Sequence, residues 1–219
     1  MVFKMKYSHV IWDFNGTVLS DMNAGILAVN EMLAARSLPV LADVESYRRT
    51  FCFPVEDYYR KLGFDFEKED YKTVLAPLWV SLYNKYSREA PLFEGVVSFT
   101  AALRAAGVHQ SILSASEKEM MQAQLRERGA LSFFDEIWGN DSIHAYGKNA
   151  LAAAWRAAHK DARAVLLGDT THDFEVAHEM GADCILISAG HHDAARLRSC
   201  GVPVVNDLIE AAALLGITL

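Results

Sequence analysis

The sequence predicts an α/β protein, a doubly wound parallel sheet with a small block of helices inserted after its first strand. Three observations carry that prediction. From about Pro91 onward, short apolar runs rich in β-branched residues alternate with helical stretches. Three such runs stop at polar residues, namely Asp13, Ser114 and Asp169. Between Asp21 and Arg88 the apolar spacing is helical, and no run has the alternation or composition of a strand.

The elements follow in order. Val10, Ile11 and Trp12 form a buried strand that opens at Asp13-Phe14-Asn15-Gly16 into a turn. Ala24, Ile26, Leu27, Val29, Met32 and Leu33 recur at helical spacing, and Leu38-Pro39 closes that segment. Helices are expected at Val44 to Thr50, at Val55 to Leu62 with Gly63 as the stop, and at about Lys68 to Tyr86 with a boundary or kink at Pro77. The α/β alternation then resumes. A helix carries Phe99 and Leu103, a strand runs from Val108 to Leu113, a helix from Glu117 to Arg128, and a strand from Phe134 to Trp138. A polar loop through Gly147 precedes an Ala-rich helix at Asn149 to His159 and a strand at Ala162 to Leu167. A helix from Phe174 to Met180, a strand at Asp183 to Ile187, a short strand at Val202 to Val205 and a helix at Leu208 to Leu215 complete the chain. The expected organisation is a discontinuous core of residues 1–20 and 89–219 with a helical domain of residues 21–88.

Composition narrows the function classes. The 219 residues carry a net charge of −7 and are 52% hydrophobic, which fits one sizeable core or a core with a smaller companion. No basic surplus exists to neutralise nucleic-acid phosphates, although a small anion needs only one or two local cations. Cys52, Cys184 and Cys200 have neither zinc-site spacing nor the even number of a disulfide framework. No signal-peptide pattern or membrane-length apolar window is read in the chain, and the expected setting is the cytoplasm, as a monomer or homodimer.

In a parallel sheet, residues just past the carboxyl ends of strands gather where ligands bind. Asp13, Ser114 and Asp169 should therefore converge although they are distant in sequence. Gly168-Asp169-Thr170-Thr171-His172-Asp173 sets two carboxylates four residues apart across a strand-to-helix turn. Carboxylates crowded near Asp13 raise one another's pKa unless a cation intervenes, and oxygen ligands of this kind suit Mg²⁺. Helix capping by Asp173 is the competing account. Lys148 opens a helix, where the macrodipole disfavours a cation, so a nearby anion cluster is required to compensate it. Ser114 adds a hydroxyl, with the backbone amide of Ala115 behind it; Ser114 and Ser116 also suit helix capping.

Together, Asp13-Phe-Asn-Gly-Thr17, Ser114, Lys148 and Gly168-Asp169-Thr-Thr-His-Asp173 resemble, in order and spacing, the four motifs of the haloacid dehalogenase-like superfamily. The helical insertion looks like the cap of its phosphoglycolate phosphatase-like branch. The resemblance implies a Rossmann-like core and a Mg²⁺-dependent phosphohydrolase acting on a small phosphorylated metabolite. It makes Asp13 the nucleophile that forms an aspartyl-phosphate. Asp13, the Asn15 carbonyl, Asp169 and Asp173 become the metal set, and Gly16, Thr17, Ser114, Ala115 and Lys148 hold the phosphoryl group. Arg49, with Arg48 beside it, is positioned to reach from the cap to a second anionic group of the substrate, the alternative being a solvated helix face.

The chain departs from the pattern at Asn15. Phosphatases of the superfamily usually carry Asp there as proton donor and base, and an amide holds position without shuttling a proton. General acid–base help is typically worth about 10²–10⁴-fold, so substrates with good leaving groups lose least. A catalytically weakened phosphate-binding or regulatory protein is one alternative. C–P or C–halogen cleavage on the same scaffold is another, for which Lys61, Lys68, Lys72 and Lys85 are the cap lysines available to form a Schiff base. His172 lies inside the Asp169 to Asp173 loop and could touch the leaving group, the adjacent His191 and His192 read as surface loop residues, and Tyr58, Tyr59, Trp79 and Tyr83 read as packing.

Overall fold

The computed structural model describes residues 6–141 and 148–219; the loop through Gly147 lies outside them. Six parallel strands form one sheet: β1 (His9–Trp12), β2 (His109–Glu117), β3 (Glu136–Asn140), β4 (Ala164–Gly168), β5 (Asp183–Ile187) and β6 (Val204–Val205). Their spatial order is β3-β2-β1-β4-β5-β6, the doubly wound arrangement. The order reverses between β1 and β4, so the crevice of the fold opens where Asp13 and Asp169 emerge.

Strand periodicity sorts the core into two layers. Val10, Trp12, Val165, Leu167, Ile185 and Ile187 face one side, against α5 (Val96–Ala105), α6 (Lys118–Glu127) and α10 (Leu208–Leu214). Ile11, Leu113, Leu166, Cys184 and Leu186 face the other, against α7 (Asn149–Ala158), α8 (Thr171–Glu179) and α9 (Ala194–Arg198). Burial on both faces explains why these strands are continuous apolar runs in the sequence.

Between β1 and α5 the chain is helical: α1 (Met22–Ala34), α2 (Val44–Thr50), α3 (Val55–Lys61) and α4 (Ala76–Tyr86). These helices bury a cluster of their own, centred on Val29, Met32, Leu33, Tyr47, Tyr59 and Leu75. No helix among the described residues is long and apolar enough to cross a membrane.

Several boundaries differ from the sequence expectation. The helix expected from Lys68 begins only at Tyr71, as a π turn to Leu75 whose backbone is capped by Asp70; Pro77 then sits in the first turn of α4, where its missing N–H costs nothing. The strand β2 continues through Ser114-Ala115-Ser116, with a register shift against β3 between Leu113 and Glu117. Phe134 precedes β3 and is spent on the core. The helix α8 starts at Thr171, because Thr170 and Asp173 form a capping box that turns the chain three residues early.

Candidate active site

Side chains alternate across the chain as β1 ends. Phe14 is buried in the core, while Asp13 and Asn15 point into a cavity between the sheet edge and the inserted helices. Asp13 Oδ1 accepts from the Phe14 backbone N–H at 2.6 Å and lies 2.6 Å from Lys148 Nζ. Lys148 also donates to Asp173 Oδ1 at 2.5 Å. Asp13, Asp169 and Asp173 each offer an oxygen within 4.8 Å of the others, and all three are buried. The sequence places these groups in three distant segments, and the parallel topology brings them together.

Charge balance is the dominant physical fact of this centre. Asp13, Asp21, Asp169 and Asp173 are buried carboxylates, and Lys148 is the one buried lysine among the described residues. Burial, then the Asp173 charge, holds the Asp13 carboxyl well above the usual range despite the attraction of Lys148. The same two causes push Asp169 up to about 7. For Asp173, burial acts upward, but Lys148 and the bonds from Thr170 outweigh it and the pKa falls. Burial would likewise depress Lys148, yet Asp13 and Asp173 raise it and keep it charged. Lys148 thus meets at a helix N-terminus the anions it requires. An oxygen-only cluster with surplus negative charge fits a hard divalent cation.

Not every acid in the cluster is equally free to ligate. Asp173 Oδ2 accepts from the Asp169 N–H, the Thr170 N–H and the Thr170 hydroxyl, and its Oδ1 is taken by Lys148. It braces the loop and the lysine. Asp169 accepts from the His191 N–H at 2.6 Å and from Thr17 Oγ1 at 3.2 Å. Gly16, at φ +75°, lies so close that a Cβ would strike the Asp169 carboxylate and the His191 ring. Gly16 and Thr17, expected at the substrate, therefore support Asp169 from behind: neither lines the cavity. Ser114 and Ala115 do line it.

Asn15 is held on both sides of its amide. Its Oδ1 accepts from Ser116 Oγ at 2.6 Å, and its Nδ2 donates to Asp21 Oδ2 at 2.7 Å and to Tyr83 Oη at 2.8 Å. Asp21 also accepts from the Gly16 N–H and from Tyr83 Oη, so Tyr83 spends its proton on Asp21. Asp21 occupies the N-cap position of α1 without capping it. Its carboxylate is turned inward, which no sequence signal separated from an ordinary helix start.

The inserted helices close the cavity with aromatic side chains. Tyr47, Phe51, Tyr58, Trp79 and Tyr83 line it, and Trp79 stacks on Tyr83 with ring centroids 4.7 Å apart. Tyr58, Tyr59, Trp79 and Tyr83 are therefore cavity walls as well as packing. Arg49 is exposed and does not line this cavity, in keeping with the solvated-face alternative, because one residue along α2 is a rotation of about 100°. Arg48 faces the sheet and donates to the carbonyls of Ser188, Ala189 and Gly190.

The histidine expectation is also corrected. His191 and His192 are buried, with His191 on the cavity wall and its Nδ1 2.7 Å from Tyr47 Oη. Burial holds His192 down to about 3, and its neutral Nδ1 accepts from the Thr171 N–H. His172 instead packs on Phe53, centroids 5.0 Å apart. The doublet lies at the end of β5, a position whose burial depends on how the insert folds over it.

A family model described as haloacid dehalogenase-like hydrolase matches residues 10–187. The chain belongs to the haloacid dehalogenase-like hydrolase family. Within it, the chain is 26% identical over 204 residues to the probable phosphatase IndB of Dickeya dadantii, covering 90% of this chain and 88% of that one. It is 26% identical over 190 residues to a phosphoglycolate phosphatase of Caulobacter vibrioides, covering 83% and 79% of the two chains. Its fold matches that of a haloacid dehalogenase-like hydrolase from Streptococcus pneumoniae with a TM-score of 0.80 at 21% identity, covering 95% of this chain and 98% of that one.

Proposed function

We propose that the protein is a Mg²⁺-dependent phosphomonoesterase that works through an aspartyl-phosphate on Asp13. The observation that carries this is the buried excess of carboxylates around Lys148 at the switch point of the sheet. Such a centre repels an anionic substrate unless a divalent cation joins it. Asp13, Asp169 and the Asn15 carbonyl would hold Mg²⁺, which supplies Lewis-acid neutralisation of the transferring phosphoryl charge. Asp173 supports that shell through the loop.

The Phe14 N–H and Lys148 hold Asp13 Oδ1 in place, which leaves Oδ2 to attack while Oδ1 can still face the cation. The Asp13–phosphorus bond forms as the ester P–O bond breaks, and water then attacks phosphorus to release phosphate and restore Asp13. Lys148, Ser114 and the Ala115 amide hold the phosphoryl oxygens, a task of position and charge. Asn15 donates no proton, so the leaving oxygen takes its proton from water.

The remainder of the substrate meets rings. Among the described cavity-lining residues Lys148 is the one lysine or arginine, and Arg48 is committed to backbone carbonyls. A substrate whose non-phosphate part is apolar or a planar ring fits these walls better than one ending in a carboxylate, which would find no second cation. Lys61, Lys68 and Lys85 are engaged with Cys52, Asp65 and Glu31 respectively and do not line the cavity, which disfavours a Schiff-base route. The test is phosphate release from phosphoglycolate, sugar phosphates, nucleotides and aryl phosphates, with and without Mg²⁺, in wild type and Asp13→Asn. Mg²⁺-dependent release with a preference for ring-bearing esters is expected. Release that survives Asp13→Asn would sink the assignment.

A further inference from the structure

A second cluster of ligating groups lies at the opposite end of the sheet. His9 opens β1 and pairs directly with His109, which opens β2. His159 follows the end of α7, and Glu136 opens β3. The three imidazoles pack with ring centroids 4.9, 5.2 and 5.7 Å apart, and each offers a nitrogen within 4.8 Å of the others. Asp13 lies four positions beyond His9 along the chain, about 13 Å away, so this is not the carboxylate centre.

A hydrogen bond fixes the tautomer of one of the rings. His159 Nδ1 lies 2.9 Å from the Trp155 carbonyl, and His109 Nδ1 lies 3.5 Å from Asp135 Oδ2. The Trp155 carbonyl cannot donate, so His159 Nδ1 carries the proton, while the His109–Asp135 approach is a longer ion-pair contact. His9 Nδ1 is 2.9 Å from Ser8 Oγ, which also lies 3.4 Å from the Arg163 carbonyl. The tautomer of His159 leaves its Nε2 to face Glu136, and His109 Nε2 is buried with no hydrogen-bond partner. Glu136 Oε1 sits 3.3 Å from His159 Nε2 and 3.8 Å from His109 Nε2. Donors in a tetrahedral site with bonds of about 2.0–2.1 Å stand about 3.3–3.4 Å apart, the separation Glu136 Oε1 already has from His159 Nε2, and the imidazole nitrogens, within 4.8 Å of one another, would close by up to about 1.5 Å. A carbonyl or carboxylate on the far nitrogen is the arrangement that orients histidine ligands.

We propose that His9, His109, His159 and Glu136 form a binding site for a divalent transition metal of the Zn²⁺ class. Three imidazoles and one carboxylate suit Zn²⁺, whereas Mg²⁺ prefers the all-oxygen centre. The ligands come from three strands and one helix end, so an ion there pins β1, β2, β3 and α7 together. The rings and the carboxylate are partly exposed, which gives the ion a way in.

Zn²⁺ titration calorimetry in saturating Mg²⁺ tests the site. Wild type and Asp169→Asn should each bind one Zn²⁺, His109→Ala should bind none at this site, and Glu136→Gln should bind about 10–100-fold more weakly. X-ray absorption of the zinc form should show imidazole nitrogens at about 2.0–2.1 Å. Zinc at a hundredfold excess over its dissociation constant should raise the melting temperature by about 5–10 °C. Circular dichroism reports whether His109→Ala is folded, and His159→Gln serves as a second deletion of a ligand. Zinc binding that is lost in Asp169→Asn but kept in His109→Ala and His159→Gln would overturn the proposal, as would the absence of binding in folded wild type.

Discussion

Replacing Asn15 with Asp tests both the electrostatics of the site and the consequence of its amide. In the wild type Asn15 Nδ2 donates to Asp21 Oδ2 at 2.7 Å. In Asn15→Asp that donor becomes a carboxylate oxygen facing another at the same separation. Two charges 2.7 Å apart repel by about 6 kcal/mol at an effective dielectric constant of about 20. At 1.36 kcal/mol per pKa unit, the pair is lifted by about four units and shares one proton from about pH 4 to about pH 8. The folded state then holds a proton that the unfolded chain has released. Stability relative to wild type must therefore fall as pH rises through that window, by about 1.4 kcal/mol per pH unit, and level off above it.

Urea denaturation of the metal-free forms at about pH 5 and about pH 7.5 reads the slope directly. The shared proton also makes residue 15 a general acid at neutral pH. Turnover of alkyl phosphates should rise by about 10²–10⁴-fold in Asn15→Asp, and that of activated aryl phosphates far less. A stability difference independent of pH would refute the Asp21 contact. An equal gain for every leaving group would refute the proton-transfer account of Asn15.

Three other outcomes are expected. Lys148→Met leaves Asp13 and Asp173 without their cation; turnover should drop by at least about 10²-fold, and the metal-free protein should lose about 3–5 kcal/mol in a denaturant titration. Because Asp169 is held at about 7 and must lose its proton to ligate, Mg²⁺ affinity should weaken about tenfold per pH unit below that value and plateau above it, as isothermal titration across pH would show. Arg48→Ala removes three bonds to the 188–190 carbonyls and should raise KM and lower stability by about 1.5–3 kcal/mol, while exposed Arg49→Ala should stay within about 0.5 kcal/mol of wild type in the same assays.

The parts of the molecule visible in the sequence are those fixed by local pattern. Apolar runs of strand length, each ending in a polar residue, are enough to set Asp13, Ser114 and Asp169 at one sheet edge, because parallel topology leaves them nowhere else to be. Lys148 was readable because its helix position required compensation. What depended on how the insert packs was not readable. Arg48 and Arg49 are neighbours in sequence, and only the rotational phase of α2 decides which one meets the core. Asp21 resembles a cap until Tyr83, sixty-two positions away, is found against it. His191 and His192 have the composition of a surface loop, and their burial comes from Tyr47 and Phe51 folding over them.

The loop after β5 joins these facts. Its carbonyls at 188–190 hold Arg48 of the inserted helices, and the next amide, that of His191, holds Asp169. Four consecutive loop residues thus have one end on the inserted helices and the other on Asp169, the acid proposed to hold the cation. If tilting α2 changes the set of that amide, the cation binds open and closed forms with different affinities. Reciprocity then requires the cation to bias the lid by the same factor. Substrate admission and metal occupancy would share one equilibrium, with four residues of main chain as the lever between them.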